Sequence, residues 1–397
     1  LVLTSTFPRW PNDPDPPFVF DLSRRLSRHF EVYILAPHTS GAPLSEELDG
    51  LTVKRFKYAP EKLEKLAYNG GIITNLKRNP VKSLLVLPFI LSELLSAYRL
   101  IKQHNIDVIH AHWILPQGLV VIMLKLLAKS IPPVLCTAHG ADVYTQKSRL
   151  MTSIKRSILN RCDCITVVSN AMKVSVLTMG ITRPIFTMPM GTNLTERFIP
   201  GPENEKKQQI IFVGRLVEKK GISYLLDAFA RLHKSFPEYQ LLIIGEGPEE
   251  KHLKVQARQL GIEKSVDFKG GLHHDKLPSY YQSSEIAVFP FIKTGYGDQE
   301  GFGLVLVEAM GCQCCVVTTN IDTVKDIVLH EETGILVKEK DSNAIYNALT
   351  HLIDDADQKF KMASNGRHHV KEHFGWEKIA VGYADLIGRI ISNKSSC

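Results

Sequence analysis

Glu300-Gly-Phe-Gly-Leu-Val-Leu-Val-Glu308-Ala-Met-Gly311 decides how this chain is read. Two carboxylates bracket an apolar run. Glu300 lies in a turn-rich segment, Thr294-Gly-Tyr-Gly-Asp-Gln-Glu-Gly-Phe-Gly303, and Glu308 lies two turns into a helix expected to start near Gly303. Eight residues of helix span about 12 Å, roughly the reach from a sugar across a diphosphate to a ribose. The helix N-terminus between them carries unpaired N–H groups and partial positive charge, which suit an anion such as a diphosphate. One Glu would then meet hexose hydroxyls while the other clamps a ribose diol, as acidic residues do in dinucleotide sites. The plainer reading is a Gly-rich loop feeding a buried helix, with both carboxylates solvated.

Outward from this stretch, strands and helices alternate in both directions. Downstream of 208, strands are expected at 210–213, 241–244, 266–269, 286–289 and 316–318. Helices fall at 224–232, 249–260, 277–282 and 304–310, then a short helix, a short strand and a helix near 341–355. Upstream, strands at 1–5, 31–36, 51–56, 107–112, 133–138 and 164–168 alternate with helices at 18–30, 81–102, 119–129, 150–160 and 171–179. Residues 39–50 read as loop, 60–80 as a polar stretch with a flexible Asn69-Gly-Gly71, and Pro88 as a kink in its helix. Such alternation makes parallel, doubly wound sheets. The polar, Pro/Gly-bearing 199–208 reads as a linker. The chain is therefore expected to be α/β, with two Rossmann-like domains over 1–195 and 196–375, a cleft between them, and a terminal helix in 376–397.

The 397 residues are 44% hydrophobic and 22% charged, ordinary for globular protein and enough for two or three domains. No uninterrupted apolar run reaches the length of a bilayer, so no transmembrane helix is expected. The chain starts at Leu1 in a strand-like run, so the native N-terminus is expected upstream. The seven cysteines, Cys162-Asp-Cys164 and Cys312-Gln-Cys314-Cys315 among them, lack zinc spacing. They are expected to be buried thiols in a reducing compartment. Residues 1–195 carry 23 Lys+Arg against 13 Asp+Glu, the remainder 25 against 28. The basic half favours an anionic partner or surface.

Glu300-x7-Glu308 with its internal Gly-Phe-Gly resembles the signature of the retaining GT-B glycosyltransferases of family 4. Phe212-Val-Gly-Arg-Leu-Val-Glu-Lys-Lys-Gly221 is similar to that family's donor-phosphate loop. Ile244-Gly-Glu-Gly-Pro248, Pro189-Met-Gly-Thr-Asn193 and Phe374-Gly-Trp376 stand in the family's order. The resemblance covers nearly the whole chain and is stronger in the second half. It implies a GT-B fold of two facing Rossmann-like domains, with the last helix, from Trp376, crossing back to the first. It also implies hexosyl transfer from a nucleotide-sugar to a hydroxyl acceptor, with retention at the anomeric carbon. The second domain would hold the donor and the first would meet the acceptor.

Carried over residue by residue, the resemblance makes Glu300 the sugar ligand and Glu308 the ribose clamp. Gly301, Phe302, Gly303 and Leu304 become the donor-side turn. Arg215 and Lys220 flank the loop closed by Gly221, and two cations there can neutralise a diphosphate leaving group without a metal. Lys219 is the neighbouring alternative. Gly245 is expected in a tight turn lining the nucleotide cleft, and Leu272 of Phe268-Lys-Gly-Gly-Leu272 where the family meets the base through its backbone. His139, in His139-Gly-Ala-Asp142, resembles the active-site His that contacts the transferred sugar. His110 and His112 read as cleft or packing residues. Where the family has a Gly-Gly pair in its first loop, this chain has Asp15-Pro-Pro-Phe18, which departs from it and reads as a rigid loop shaping the acceptor site. Asp13-Pro-Asp15 has a bare Asp-x-Asp form, but in a proline-rich turn where Asp bonds locally. Asp354-Asp355-Ala-Asp357 reads as a helix boundary. No metal and no cofactor beyond the co-substrate is expected.

Lys77, Arg78 and Lys82 precede Leu84-Leu-Val-Leu-Pro-Phe-Ile-Leu91. A basic cluster beside an apolar helix face suits an anionic membrane interface. The expectation is a cytoplasmic protein, peripheral at the inner face of the membrane, with a lipid-linked glycan acceptor. The same run also reads as a core helix. Alternative functions are a GT-B sugar-nucleotide epimerase and a non-catalytic nucleotide-sugar-binding protein. A dehydrogenase is disfavoured, because the first strand leads into Pro-rich sequence rather than Gly-x-Gly-x-x-Gly. A two-carboxylate glycosidase would not need a nucleotide loop.

Overall fold

The computed structural model describes all residues except 11, 12, 14–16, 69, 129, 146, 147, 203, 204, 296 and 395–397. Asp15, and with it the proline loop proposed for the acceptor, lies outside the described residues, as does Asn69. The chain divides into two compact units, Leu1–Pro189 with Ile379–Cys397, and Met190–Lys378. The division falls at Pro189 rather than at 195, because Met190-Gly-Thr-Asn193 is already part of the second unit's fold. Thr192 bridges to Gly375, donating its N–H to Phe374 and accepting that of Trp376.

The first unit contains β1 (Val2–Leu3), β2 (Val32–Pro37), β3 (Ser45–Leu48), β4 (Leu51–Phe56), β5 (Ile109–His112), β6 (Val134–Ala138), β7 (Cys164–Val167) and β8 (Ile185–Thr187). They run in the order β3-β4-β2-β1-β5-β6-β7-β8, parallel except for β3. Near-continuous burial along the central strands reflects helices on both faces. The second unit contains β9 (Lys207–Val213), β10 (Gln240–Ile244), β11 (Val266–Gly270), β12 (Ser284–Phe289), β13 (Cys315–Thr319) and β14 (Ile335–Val337), in the order β11-β10-β9-β12-β13-β14, with all pairs parallel. In a parallel sheet the C-terminal strand ends lie along one edge. The loops after β5, β6, β9, β10 and β11 therefore emerge where α/β folds place ligands.

Several expectations are corrected. Residues 45–48 form an edge strand rather than loop. Asp49 and Gly50 at φ 48° and 79° make the tight hairpin turn that returns the chain into β4, and Asp-Gly is the sequence signal for it. The polar 60–80 stretch contains a helix, Gly71–Arg78, pinned by the Asn75 amide to the carbonyls of Leu66 and Tyr68. Pro88 does not kink the long helix. A 3-10 turn over Pro80–Leu85 leads into Val86–Gln103, so Pro88 sits in the first α turn, where its missing N–H costs nothing. The first helix stops at Leu26, and Ala356–Phe374 is a further helix that Asp355 caps by accepting the Gln358 N–H. That cap accounts for the acidic cluster at 354–357.

By length and composition Pro80–Gln103 is apolar enough to cross a membrane, which counting uninterrupted apolar residues overlooks. Its inner face is committed to the fold. Phe89 packs edge-on against Phe56 and Tyr58, and buried Glu93 receives the Gln117 amide. Six cysteines, Cys136, Cys162, Cys164, Cys312, Cys314 and Cys315, are buried free thiols.

Candidate active site

The second unit builds a charged site from three loops. After β9 the chain passes through Gly214-Arg215 into the 3-10 turn Glu218–Lys220. Exposed Arg215 follows Gly214, whose missing Cβ would lie 3.5 Å from the Lys220 side chain. Lys220 Nζ donates to Glu300 Oε2 at 2.6 Å and sits 4.6 Å from the Phe291 ring centroid. Lys219 donates to Asp298 Oδ1 at 3.2 Å and to the Gln299 carbonyl. The two lysines are thus told apart: Lys220 holds Glu300, and Lys219 holds the loop before it. Burial alone would raise the Glu300 carboxyl. The charges of Lys220 and Lys219, with the bonds from Lys220 and the Gly301 N–H, outweigh it and bring the group down to about 2.

Gly303 adopts φ +95° at the entry to the helix Leu304–Gly311, a conformation that side chains with a Cβ resist. Phe302 is buried against Phe374, so its ring anchors the turn and leaves its backbone, not its side chain, to meet a ligand. Only Leu304 onward is helical, so the separation of Glu300 from Glu308 is not set by helical rise. Glu308 is 6% exposed. Its Oε1 pairs with His274 Nε2 at 2.7 Å and its Oε2 accepts from the Tyr281 hydroxyl at 3.4 Å. Burial and the Glu308 charge push the Tyr281 phenol well up, so it stays protonated and donates. Neither carboxylate is solvated in the way the plainer reading required.

A third loop pair supports these. A Cβ on Gly245 would sit 1.9 Å from the Gly214 carbonyl oxygen, so only glycine lets the ends of β9 and β10 approach. Glu246 reaches across to accept the Gly271 N–H at 3.1 Å, ordering the turn that carries half-buried Leu272. The Gly-Glu-Gly and Lys-Gly-Gly-Leu motifs are therefore one structural element.

The first unit holds His139, just past the end of β6. Its ring lies 5.0 Å from Phe18, 4.8 Å from Trp113 and 5.2 Å from His112, and its Nε2 is 2.9 Å from His112 Nδ1. Asp142 does not touch the imidazole. It accepts the N–H groups of His139, Gly140 and Ile114, tying the His139 turn to the turn after β5. Burial pushes the His139 imidazole down to about 3.

Sequence reasoning missed His274, Tyr281 and Glu246, and gave His112 no particular role. His274 had a signal, a titratable pair directly after Leu272. Glu246 was the variable position of a Gly-x-Gly. His112 and Tyr281 had none, because their partners are distant in the chain. Among the described residues no group of three or more His, Cys, Asp or Glu is arranged to hold a metal.

Two family models match: "Glycosyltransferase Family 4" over residues 17–196 and "Glycosyl transferases group 1" over residues 195–369. The chain is 26% identical over 374 residues to a GDP-mannose-dependent alpha-(1-6)-phosphatidylinositol monomannoside mannosyltransferase of Mycolicibacterium smegmatis, covering 91% of both chains. It is 27% identical over 301 residues to the protein of that description in Mycobacterium tuberculosis, covering 73% of this chain and 77% of the other. The fold is similar to that of sucrose-phosphate synthase from Thermosynechococcus elongatus, with a TM-score of 0.80 at 22% identity, covering 99% and 98% of the two chains.

Proposed function

Because the chain belongs to glycosyltransferase family 4, and is a nucleotide-sugar-dependent glycosyltransferase of the GT-B fold, we propose that it is a retaining, metal-independent hexosyltransferase of cell-surface glycan biosynthesis. The Lys220–Glu300 pair beside the Gly303 helix entry carries this reading, with Arg215 next to it. A nucleotide-sugar's diphosphate brings two negative charges that Arg215, Lys220 and the helix N-terminus would neutralise. Lys220 would exchange part of its contact with Glu300 for phosphate, leaving the ionised Glu300 to bind sugar hydroxyls. Glu308, held by His274, would accept from the ribose diol.

In the reaction the anomeric carbon's bond to the diphosphate oxygen breaks as a bond to the acceptor oxygen forms on the same face. The acceptor's proton passes to the departing diphosphate. The protein's part is to stabilise the charge that develops on the leaving group. GDP-mannose is the first donor to test, given the names of the mycobacterial relatives. In a thermal-shift panel of UDP-, GDP- and ADP-sugars one donor should raise the transition temperature, and turnover with it should survive excess EDTA. Activity that returns only with Mg²⁺ or Mn²⁺ rejects the metal-independent reading.

A specific feature of the first unit favours a membrane-associated acceptor. Val81, Leu84, Leu87, Leu91 and Leu95 form a stripe on the Pro80–Gln103 helix and are 42–76% exposed. Exposed Lys57, Lys62, Lys65, Lys77 and Arg78 lie nearby in sequence. Of the acidic residues from 57 to 102, Glu64 and Glu93 are buried and only Glu61 is exposed. An apolar stripe with such cationic flanks suits the surface of an anionic bilayer. Lys82 is partly spoken for, because its amine bonds the Lys65 carbonyl and Asn75. Co-sedimentation with anionic liposomes should fade with salt and fall in Lys77→Ser with Arg78→Ser, and in Leu84→Ser with Leu87→Ser. Equal partitioning to neutral liposomes, or none to either, rejects the membrane reading.

A further inference from the structure

β5 and β6 pair in parallel with His110 opposite Leu135 and His112 opposite Thr137, which stacks three imidazoles at the sheet's C-terminal edge. The His110 and His112 ring centroids are 4.1 Å apart, and the His112 and His139 planes differ by 14°. Burial lowers all three groups far enough that the column is neutral at ordinary pH. A neutral imidazole has one N–H and one bare nitrogen, so the partners of each nitrogen fix the tautomer.

His112 Nδ1 and His139 Nε2 face each other at 2.9 Å, and one proton lies between them. The other nitrogen of His112, Nε2, is buried and has no hydrogen-bond partner among the described residues. Were the shared proton on His139, His112 would have to carry its own on Nε2, stranding an N–H donor in the core. An orphaned buried N–H is the rarer defect, and a bare lone pair the cheaper one. The shared proton therefore belongs to His112 Nδ1. His139 Nε2 accepts it, and the proton of His139 is on Nδ1. We infer that His112 is a positioning residue that locks His139 as the Nδ1–H tautomer, so that His139 presents its ligand with a fixed N–H donor rather than a base. Phe18 and Trp113 pack around the His139 ring. Asp142 holds its backbone, which leaves ring polarity to His112.

The functional half of this inference rests on the reading that His139 meets the transferred sugar; the tautomer does not. Long-range ¹H–¹⁵N correlation on the full chain with ¹⁵N-histidine, assigned with His139→Gln, reads the protonated nitrogen directly. His139 should carry its proton on Nδ1 in the native chain and lose that preference in His112→Leu. His112→Asn, whose amide N–H can stand in for Nδ1–H, should restore it. With the correct donor, kcat should fall about tenfold in His112→Leu with little change in donor KM, and recover in His112→Asn. A native His139 protonated on Nε2, or a tautomer unchanged in a folded His112→Leu, overturns the lock. A tautomer that shifts while kcat stays constant supports the lock and overturns the sugar contact.

Discussion

Two carboxyls set the halves of this molecule apart. Glu93, in the first unit, is buried and accepts the Gln117 amide, and burial pushes it up to about 8. Glu300, in the second, is also sheltered, but the lysine charges override burial and hold it down to about 2. The imidazoles of His110, His112 and His139 follow Glu93 and are kept neutral, whereas the site of the second unit holds the ion pairs Lys220–Glu300 and Lys219–Asp298 beside the His274–Glu308 hydrogen bond. Both units put their groups at the same edge of a parallel sheet. The chemistry differs because Glu93 and the His110–His112–His139 column are buried on a helix, at strand ends and among rings without an opposite charge, so charge is expelled. Lys220–Glu300 and Lys219–Asp298 stand on loops in opposite-signed pairs, where charge is kept. On the proposed reading a diphosphate would use the second arrangement and an oriented sugar hydroxyl the first.

The sharpest way to break the comparison is Lys220→Met. Loss of one cation from the leaving group should lower kcat/KM by about 10²–10³-fold, the scale of one lost charge-stabilising donor, and the Glu300 carboxyl should titrate higher in a ¹³C-NMR titration. The sign follows from linkage. With a folded value below the unfolded one, Glu300 adds stability above about pH 4.5 that fades as pH falls toward 2. A kcat/KM within a few-fold of native would mean that Lys220 serves only the loop.

Next, His139→Ala should lower kcat by about 10-fold to 10²-fold with nucleotide affinity held, if its contact is to the reacting sugar as the family resemblance implies. Glu308→Ala should instead weaken nucleoside-diphosphate binding by about tenfold or more, the loss of a hydrogen bond to a charged group. Calorimetric titration beside steady-state kinetics separates the two, and a reversed pattern would exchange the roles assigned to the units.

The smallest expected effect is Glu93→Gln. A carboxyl raised to about 8 in the fold makes the native state most stable below pH about 4.5 and loses that advantage as pH rises through 8. The amide cannot ionise, so its melting temperature should exceed native by at least several °C at pH 8.5 and converge on it as pH falls to about 5. Equal pH profiles would show that Glu93 is ionised in the fold at pH 8.5.

Much of this was legible in the chain. Motif spacing placed Lys220, Glu300, Gly303, Glu308 and His139 on loops and helix starts, because glycine turns and strand–helix periodicity are local properties. The elements misread were those whose cause lies elsewhere. The helix Gly71–Arg78 starts at a Gly-Gly pair that reads as a flexible turn, and it is held by Asn75 reaching back to Leu66 and Tyr68. β3 is an exposed edge defined by pairing with β4.

By itself, the sequence determined a doubly wound α/β chain with a diphosphate-suited loop set, since alternation, glycine placement and charge type are written residue by residue. Only the tertiary structure decided which lysine holds Glu300, that His274 holds Glu308, that Glu246 ties two motifs together and that His112 faces His139. It also decided that the leucine stripe of Pro80–Gln103 is left uncovered while Phe89 and Glu93 face inward. The reason is physical. Pairing, burial and protonation state depend on atoms brought together across tens of residues, and no local pattern encodes the partner's address.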